Sequence, residues 1–372
     1  PSADVQCRNQ NDTPCGEPRY LCSNMHIYSQ DTNEHSAASV TCDGDGAYTC
    51  QALKLTSALT LPCDLHCEST GKEVCSGVAF KCAGANALSC KGEEACKNAE
   101  YHCGDACALT CVNGCQSMKF HAGAGATVSC QATMWHKTGV HPGQRVCHSL
   151  QYTGAGLASL SCTGTHACQS LSAVGLPSAT VQCTTEKQCH DDYDPAKQWH
   201  YDWDASICPS SAGPCKNAAV GGASLECDGF QACKEATFTC GAGSACTARC
   251  FGSEDKTCDR LSVKGEDAAS LAVTGTIDGG FRMRETSNNN CHSNNAYNCW
   301  QAHGQDVLKY SNVYCPLAPP SADGASCAVT CTGEKSKYRH PQQVSNNNWN
   351  WYYRHPDNPS TDVQCRNHND TP

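Results

Sequence analysis

The chain has 372 residues, a formal net charge of −10 and 35 Cys. Leu, Ile, Val and Phe together make up about 12% of it, below the roughly 20% at which a chain can build an ordinary hydrophobic core. This composition excludes a conventional globular domain, and the cysteine content indicates a scaffold held by disulfides in place of a large core.

Cysteine usage and charge also limit the cellular compartment and the kinds of partner that we expect. Disulfides at this density need an oxidising compartment, so we expect an extracellular protein that is secreted or displayed on a cell surface. Zinc sites built from cysteine use CxxC knuckles, and the sequence has none, so we predict no metal and no cofactor. The charge forms no basic stripe and no apolar run approaches 18 residues, which argues against nucleic acid as a partner and against a membrane span in this stretch.

The two ends of the chain repeat each other. Residues 1–14 read PSADVQCRNQNDTP and residues 359–372 read PSTDVQCRNHNDTP. The pattern predicts that residues 1–358 form one tandem repeat unit and that residues 359–372 begin the next copy. The unit contains 34 Cys, an even number that can pair completely. Asn11 and Asn369 lie in N-glycosylation sequons at the same place in both copies, so we predict covalent glycans there.

A shorter repeat runs inside the unit. Its clearest copies are ALSCKGEEACKNAEYHC (87–103), SLSCTGTHACQSLSAVG (159–175) and SLECDGFQACKEATFTC (224–240). Weaker copies begin near apolar residues, namely Val5, Val40, Leu65, Leu109, Val128, Val181, Leu271, Val329 and Val363. Neighbouring copies often lie 19–25 residues apart, which is typical of one coil of a β-solenoid.

These periods predict an all-β fold, a disulfide-stapled parallel β-solenoid (β-helix) with irregular loop insertions and about sixteen coils. Side chains alternate between the two faces of a strand, so in residues 224–240 we expect the following side chains to point inward: Leu225, Cys227, Ala236, Phe238 and Cys240. Gly229 and the Gly-rich runs at 122–125, 154–156 and 241–244 should form corners, since Gly adopts positive φ without cost.

Two disulfide schemes are compatible with the cysteine spacing, one within a coil and one between stacked coils. We favour bonds within a coil for the Cx5C pairs, which are Cys90/Cys96, Cys162/Cys168, Cys183/Cys189, Cys227/Cys233 and Cys240/Cys246. We expect bonds between coils for the dense run of Cys103, Cys107, Cys111 and Cys115. Connectivity does not follow from spacing alone.

The segments CKGEEACKNA, CTGTHACQSL and CDGFQACKEA resemble the coil of insect β-helical antifreeze proteins, which has an internal Cx5C disulfide followed by CxxA. That family binds ice through a regular Thr-x-Thr array beside the first Cys. The matching flanks are Ser89/Lys91, Ser161/Thr163 and Glu226/Asp228, which are charged and irregular as a set, so the resemblance does not imply ice binding. The longer coil and the tandem repeat are similar in style to Cys-rich repeat proteins of algal and protist extracellular fibres, such as flagellar mastigonemes, which implies a structural role.

Four segments interrupt the short repeat, at about 134–146, 190–222, 278–312 and 332–358. Loops that project from a rigid solenoid commonly carry function. The last segment sets together Trp349, Trp351, Tyr352 and Tyr353. Such a cluster would pack on the last coil, contact a neighbouring repeat or stack on a sugar.

We therefore expect a structural subunit of an extracellular filament or surface fibre, stacked end to end with copies of itself, and not an enzyme. A carbohydrate-binding adhesin or lectin-like surface rod is the alternative. A polysaccharide-active β-helix enzyme would need acidic or Arg residues clustered on one face. Asp191, Asp192, Asp194 and Arg145 are the only suitable groups, and no spacing ties them together, so no catalytic residue is predicted.

Overall fold

The computed structural model describes residues 3–8, 22–29, 38–43, 49–57, 63–68, 73–82, 84, 86–104, 106–133, 145–164, 166–174, 176, 178–185, 213–229, 231–252, 257–277, 308, 311–316, 327–333, 339–344, 348–353 and 364–366. Throughout these residues the chain forms strands and turns, and they contain no helix. The predicted fold class, an all-β, disulfide-rich parallel β-solenoid, is confirmed.

Most of the strands are short because each forms one side of a coil, whereas β10 and β11 each run through two sides. They are β1 (Ala3–Arg8), β2 (His26–Ser29), β3 (Ala38–Asp43), β4 (Lys54–Ser57), β5 (Cys63–Glu68), β6 (Ala79–Lys81), β7 (Ala87–Lys91), β8 (Glu100–His102), β9 (Ala108–Val112), β10 (Lys119–Gln131), β11 (Gln151–Thr163), β12 (Ser172–Ala173), β13 (Thr180–Thr184), β14 (Ala219–Gly222), β15 (Ser224–Asp228), β16 (Thr237–Cys240), β17 (Ala245–Gly252), β18 (Ser262–Lys264), β19 (Ser270–Ile277), β20 (Asn312–Tyr314), β21 (Cys327–Gly333), β22 (Arg339–Val344), β23 (Asn348–Tyr353) and β24 (Gln364–Arg366).

Twenty-two of the strands form two parallel ladders, in which each strand pairs with the strands of the coils before and after it. Ladder one consists of β1, β3, β5, β7, β9, the second half of β10, the second half of β11, β13, β15, β17, β19 and β21. Ladder two consists of β2, β4, β6, β8, the first halves of β10 and β11, β12, β14, β16, β18, β20 and β24.

Ladder one faces the core with two columns of side chains, because side chains alternate along a strand. The first column is apolar and in register from coil to coil: Val5, Val40, Leu65, Leu88, Leu109, Val128, Leu160, Val181, Leu225, Ala248, Val273 and Val329. The second, which we call the Cys column, is Cys7, Cys42, Cys67, Cys90, Cys111, Cys130, Cys162, Cys183, Cys227, Cys250 and Gly275, and the backbone register continues it to Cys331. Half of this inner face is therefore sulfur, which explains how a chain so poor in aliphatic residues is packed.

Ladder two contributes an aromatic stack to the same core. The ring centroids are 4.9 Å apart between Phe80 and Tyr101, 5.7 Å between Tyr101 and Phe120, and 5.8 Å between Phe120 and Tyr152. All four side chains are buried. Burial raises the pKa of Tyr101, and its hydroxyl has no hydrogen-bond partner. The stack thus gains apolar contact in the narrow core but leaves a polar atom unsatisfied.

The third side of each coil is a turn in which alternate residues have positive φ. In one coil these are Glu94, Cys96 and Asn98, with φ of 58°, 54° and 55°. The Cys96 N–H donates to the carbonyl of Val74 in the preceding coil, and the Asn98 N–H donates to the carbonyl of Gln116 in the next. The turns therefore stack as regularly as the strands. Each left-handed residue costs about 1–2 kcal/mol, so the stack depends on these bonds and on the disulfides.

The described strands make twelve coils. The coil differs from its predicted form in two details. The runs at 122–125 and 154–156 do not end a strand: β10 and β11 continue through them, with register shifts at Ala124/Ala126 and a positive φ at Gly125. Leu271 pairs with Cys246, and Val273 occupies the apolar column in its place.

Other predicted details are confirmed. The inward residues Leu225, Cys227, Ala236, Phe238 and Cys240 are all buried. Gly229 has a φ of 92°, and residues 241–244 form a turn in which Gly243 has a φ of 67°.

The repeated segment at the C-terminal end stacks on the preceding coil. β24 pairs in parallel with β20, so that Cys365 lies opposite Val313. Its counterpart β1 lies in ladder one and pairs with β3. The two copies of the segment therefore take the same strand conformation in different ladders.

Candidate functional site: the insertion corner

Among the described residues, ten disulfides close the corner where ladder one gives way to the turn. Each joins the Cys column to a turn Cys of the same coil at a Cα–Cα distance of 5.9–6.2 Å, inside the roughly 4.4–6.8 Å range usual for disulfides. They are Cys7–Cys22, Cys42–Cys50, Cys67–Cys75, Cys90–Cys96, Cys111–Cys115, Cys130–Cys147, Cys162–Cys168, Cys183–Cys215, Cys227–Cys233 and Cys250–Cys258. Every turn Cys in this set has a positive φ. The disulfides therefore hold the strained residues of the turn.

Four of the predicted Cx5C bonds are present, namely Cys90–Cys96, Cys162–Cys168, Cys227–Cys233 and Cys240–Cys246. The predicted bond between Cys183 and Cys189 was wrong, because Cys183 is bonded to Cys215. Cys215 occupies the turn position of that coil, so coil geometry and not sequence spacing selects the partner. Cys189 lies outside the described residues.

The prediction of bonds between coils for the dense cysteine run was also wrong. Cys111 is bonded to Cys115 within its coil, and Cys103 is bonded to Cys107. The latter closes the second corner, where ladder two returns to ladder one. Other bonds at that corner are Cys63–Cys82, Cys240–Cys246 and Cys315–Cys327.

The long interruptions of the repeat leave and rejoin the coil at the first corner, which we call the insertion corner. The number of residues separating bonded cysteines there varies from 4 in Cys111–Cys115 to 17 in Cys130–Cys147 and 32 in Cys183–Cys215. Over the same three bonds the Cα–Cα distance stays at 6.0–6.1 Å. The insertions near 134–146 and 190–222 therefore share one edge of the solenoid, and each of these two has a disulfide at its base.

Some residues that the sequence assigned to insertions belong to the coil. Residues 145–150 and 213–218 form turns of the coil, and Ala219–Gly222 is β14. In the segment predicted at 278–312, Leu308 occupies the turn position with a φ of 59° and is fully buried, while Gly275 replaces Cys in the Cys column. That coil thus keeps the turn without a disulfide.

The predicted aromatic cluster lies on a β-hairpin in the last insertion. β22 and β23 pair antiparallel, with Trp349 opposite Gln343 and Trp351 opposite Pro341. All four residues of the cluster belong to β23. The sequence grouped these residues correctly along the chain but did not predict the hairpin.

Two histidines lie at the insertion corner. Burial lowers the pKa of His148 and of His166 below their ordinary value, and the positive charge of Arg145 acts in the same direction. The Nδ1 of His166 lies 3.3 Å from Oε1 of Gln169, and its Nε2 is buried without a hydrogen-bond partner. The neutral imidazole is therefore the form that the fold accommodates.

Several residues singled out from the sequence lie outside the described residues, namely the sequon residues Asn11 and Asn369 and the acidic residues Asp191, Asp192 and Asp194. Sulfurs of neighbouring coils, such as those of Cys42, Cys67 and Cys75, do cluster. They are bonded in disulfides, so they offer no thiolate to a metal ion.

Comparison of the sequence with protein-family models and with curated proteins, and of the structure with solved structures, finds no match. The described residues contain no helix of the length and apolarity needed to cross a membrane. The abundance of disulfides is typical of extracellular proteins.

Proposed function

We propose that the chain is a structural unit of an extracellular filament or surface fibre, in which tandem copies continue one solenoid and carry glycans at Asn11 and Asn369. The observation that supports this most directly is at the end of the unit, where β24, whose sequence repeats part of β1, pairs in parallel with β20. This pairing adds a rung to ladder two, whereas β1 lies in ladder one, so it supports the addition of a further strand to the end of the solenoid and not a particular register for a second copy. The proposal assigns no catalytic step to the chain, and its main partner is another copy of the same repeat.

The ladder architecture explains why copies would stack. The first and last rungs expose unpaired N–H and C=O groups, which a further rung satisfies. The twelve described coils, at about 4.8 Å per rung, would span about 58 Å for each copy. The disulfides staple the coils themselves, so stiffness does not require a thick hydrophobic core.

Chains with one and with two tandem copies of the repeat, expressed in an oxidising host, test the proposal. We expect negative-stain images and small-angle scattering to show rods whose length increases by about 58 Å with the second copy, for the reason given above. A compact particle whose longest dimension does not grow with the second copy would refute continuous stacking.

A carbohydrate-binding adhesin or lectin-like rod is the second candidate, favoured by the hairpin that carries a run of aromatic residues at the end of the unit. Stacking on a sugar ring needs a flat aromatic face. On a glycan array the wild-type chain should then bind, and the Trp349→Ala/Trp351→Ala variant should lose that binding. Equal binding by the two proteins would remove this candidate.

A further inference from the structure

The outer face of ladder two carries three side chains suited to metal binding. Glu100 and His102 belong to β8, and His121 belongs to the neighbouring β10. The register places His102 directly opposite His121, so their rings stack with centroids 4.1 Å apart and planes 7° from parallel. Two imidazoles and a carboxylate thus meet on two adjacent rungs.

One carboxylate oxygen lies near the Nε2 atoms of both histidines. Oε1 of Glu100 lies 2.8 Å from Nε2 of His102 and 3.9 Å from Nε2 of His121. The Nε2 of His121 is buried and has no hydrogen-bond partner, although its side chain is one third exposed. Its other ring nitrogen, Nδ1, makes a hydrogen bond with the hydroxyl of Thr153. If Nδ1 donates that bond, the lone pair is left on Nε2, as a metal ligand requires.

We propose that Glu100, His102 and His121 bind a borderline divalent transition-metal ion, of which Zn²⁺ is the probe. Tetrahedral Zn²⁺ with bonds of about 2.0–2.1 Å keeps its donors about 3.3 Å apart, and the two measured oxygen–nitrogen distances bracket that value. Two imidazoles with one carboxylate suit Zn²⁺ or Cu²⁺, whereas Mg²⁺ and Ca²⁺ need oxygen ligands.

Binding requires a small rearrangement. The stacked rings must turn about their Cβ–Cγ bonds so that both lone pairs meet at the ion, a torsion with a broad energy minimum. The proton on Nε2 of His102 moves to its Nδ1, and the ion replaces the hydrogen bond to Glu100. Water completes the coordination sphere on the solvent side.

The surroundings set the strength of the site. Lys81 lies beside His102 on the neighbouring rung, and Lys119 lies opposite Glu100. Both side chains are exposed and extend into solvent, so they weaken the attraction for a cation without blocking it. The two histidines are 19 positions apart, so only the coil register brings them together and no motif spacing reveals the site.

Isothermal titration of the folded, oxidised chain with ZnCl₂ tests the proposal. The variants His102→Ala and His121→Ala should each weaken the strongest Zn²⁺ site at least tenfold, and Glu100→Gln should weaken it by a smaller factor. His66→Ala is the control, because His66 is an exposed histidine on ladder one. Lys119→Ala should tighten binding, since it removes a like charge.

Nitrogen NMR chemical shifts give an independent readout. Zn²⁺ should shift Nε2 of His102 and of His121 at one equivalent, with no corresponding shift from MgCl₂. Wild-type affinity in the His102→Ala/His121→Ala double variant, with an unchanged circular dichroism spectrum, would overturn the proposal. Equal losses in His66→Ala and His121→Ala would do the same.

Discussion

The free energy lost on removing a disulfide of the insertion corner should depend on the length of chain that it closes. Cys90–Cys96 spans 6 residues and Cys183–Cys215 spans 32. Restriction of the unfolded chain is worth about 2.2 kcal/mol for the shorter loop and about 3.7 kcal/mol for the longer one. We therefore expect the Cys183→Ala/Cys215→Ala variant to be less stable than Cys90→Ala/Cys96→Ala by about 1.5 kcal/mol.

The two bonds form a matched pair in the folded state. Each joins the Cys column to a turn Cys, the Cα–Cα distances are 5.9 and 6.0 Å, and every sulfur-bearing side chain is at most 1% exposed. The two substitutions therefore remove similar packing from the folded state, and the difference in stability reports on the unfolded chain. Cys162→Ala/Cys168→Ala, which also removes a bond spanning 6 residues, serves as the control and should match Cys90→Ala/Cys96→Ala.

Urea unfolding without reductant, followed by far-ultraviolet circular dichroism, measures the three free energies. The slope of the free energy of unfolding against urea concentration should be compared among the variants, because loss of cooperativity between coils would change that slope. Equal losses for the short and long loops, or a larger loss for the short loop, would refute the entropic account of the corner.

Three further substitutions test separate features of the coil. Gly154→Ala would place a Cβ 2.0 Å from the carbonyl oxygen of Ala122 and should lower the free energy of unfolding by about 1–3 kcal/mol. Gly77 has a φ of 67° and no atom within 4 Å of an added Cβ, so Gly77→Ala should lower it by only about 1 kcal/mol, and similar losses of stability in urea unfolding would contradict this. Tyr101→Phe removes a buried hydroxyl that has no partner and should raise the melting temperature, while a fall would show an unrecognised hydrogen bond. Burial depresses the pKa of His166, so the contribution of this histidine to stability is complete above pH 6.5 and is lost as the pH falls below that value towards the folded pKa. The variant His166→Asn should flatten this pH dependence, since Asn also tolerates positive φ, and an unchanged pH profile of stability would contradict the prediction.

The sequence was sufficient to predict the strands of ladder one. Apolar and Cys residues two positions apart recur at the start of each coil, and Val40, Leu65, Val128 and Val181 fall in one column as expected. The signal fails where the side chain is small, since Ala248 holds the same position and was not recognised. It also fails at Leu271, where two apolar residues in sequence compete for the column.

The turn and its bonds could not be predicted in full, because they depend on register and not on local preference. Cys96 and Glu94 are ordinary residues with no preference for positive φ, yet the stack of hydrogen bonds between coils imposes it. The partner of Cys183 follows from where the chain re-enters the turn after 32 residues, which spacing cannot reveal. The stacked histidines His102 and His121 were hidden for the same reason.

Because disulfides fix the two ends of an insertion at the insertion corner, this edge of the solenoid is a suitable scaffold for foreign peptides. Since the Cα–Cα distance across the disulfide is 5.9 Å for cysteines 6 positions apart and 6.0 Å for cysteines 32 positions apart, a foreign peptide inserted between Cys162 and Cys168 need not alter the neighbouring coils. Peptides in successive coils would be arrayed in one row about 4.8 Å apart. The same freedom would let evolution exchange one insertion for another while the rod beneath it is preserved.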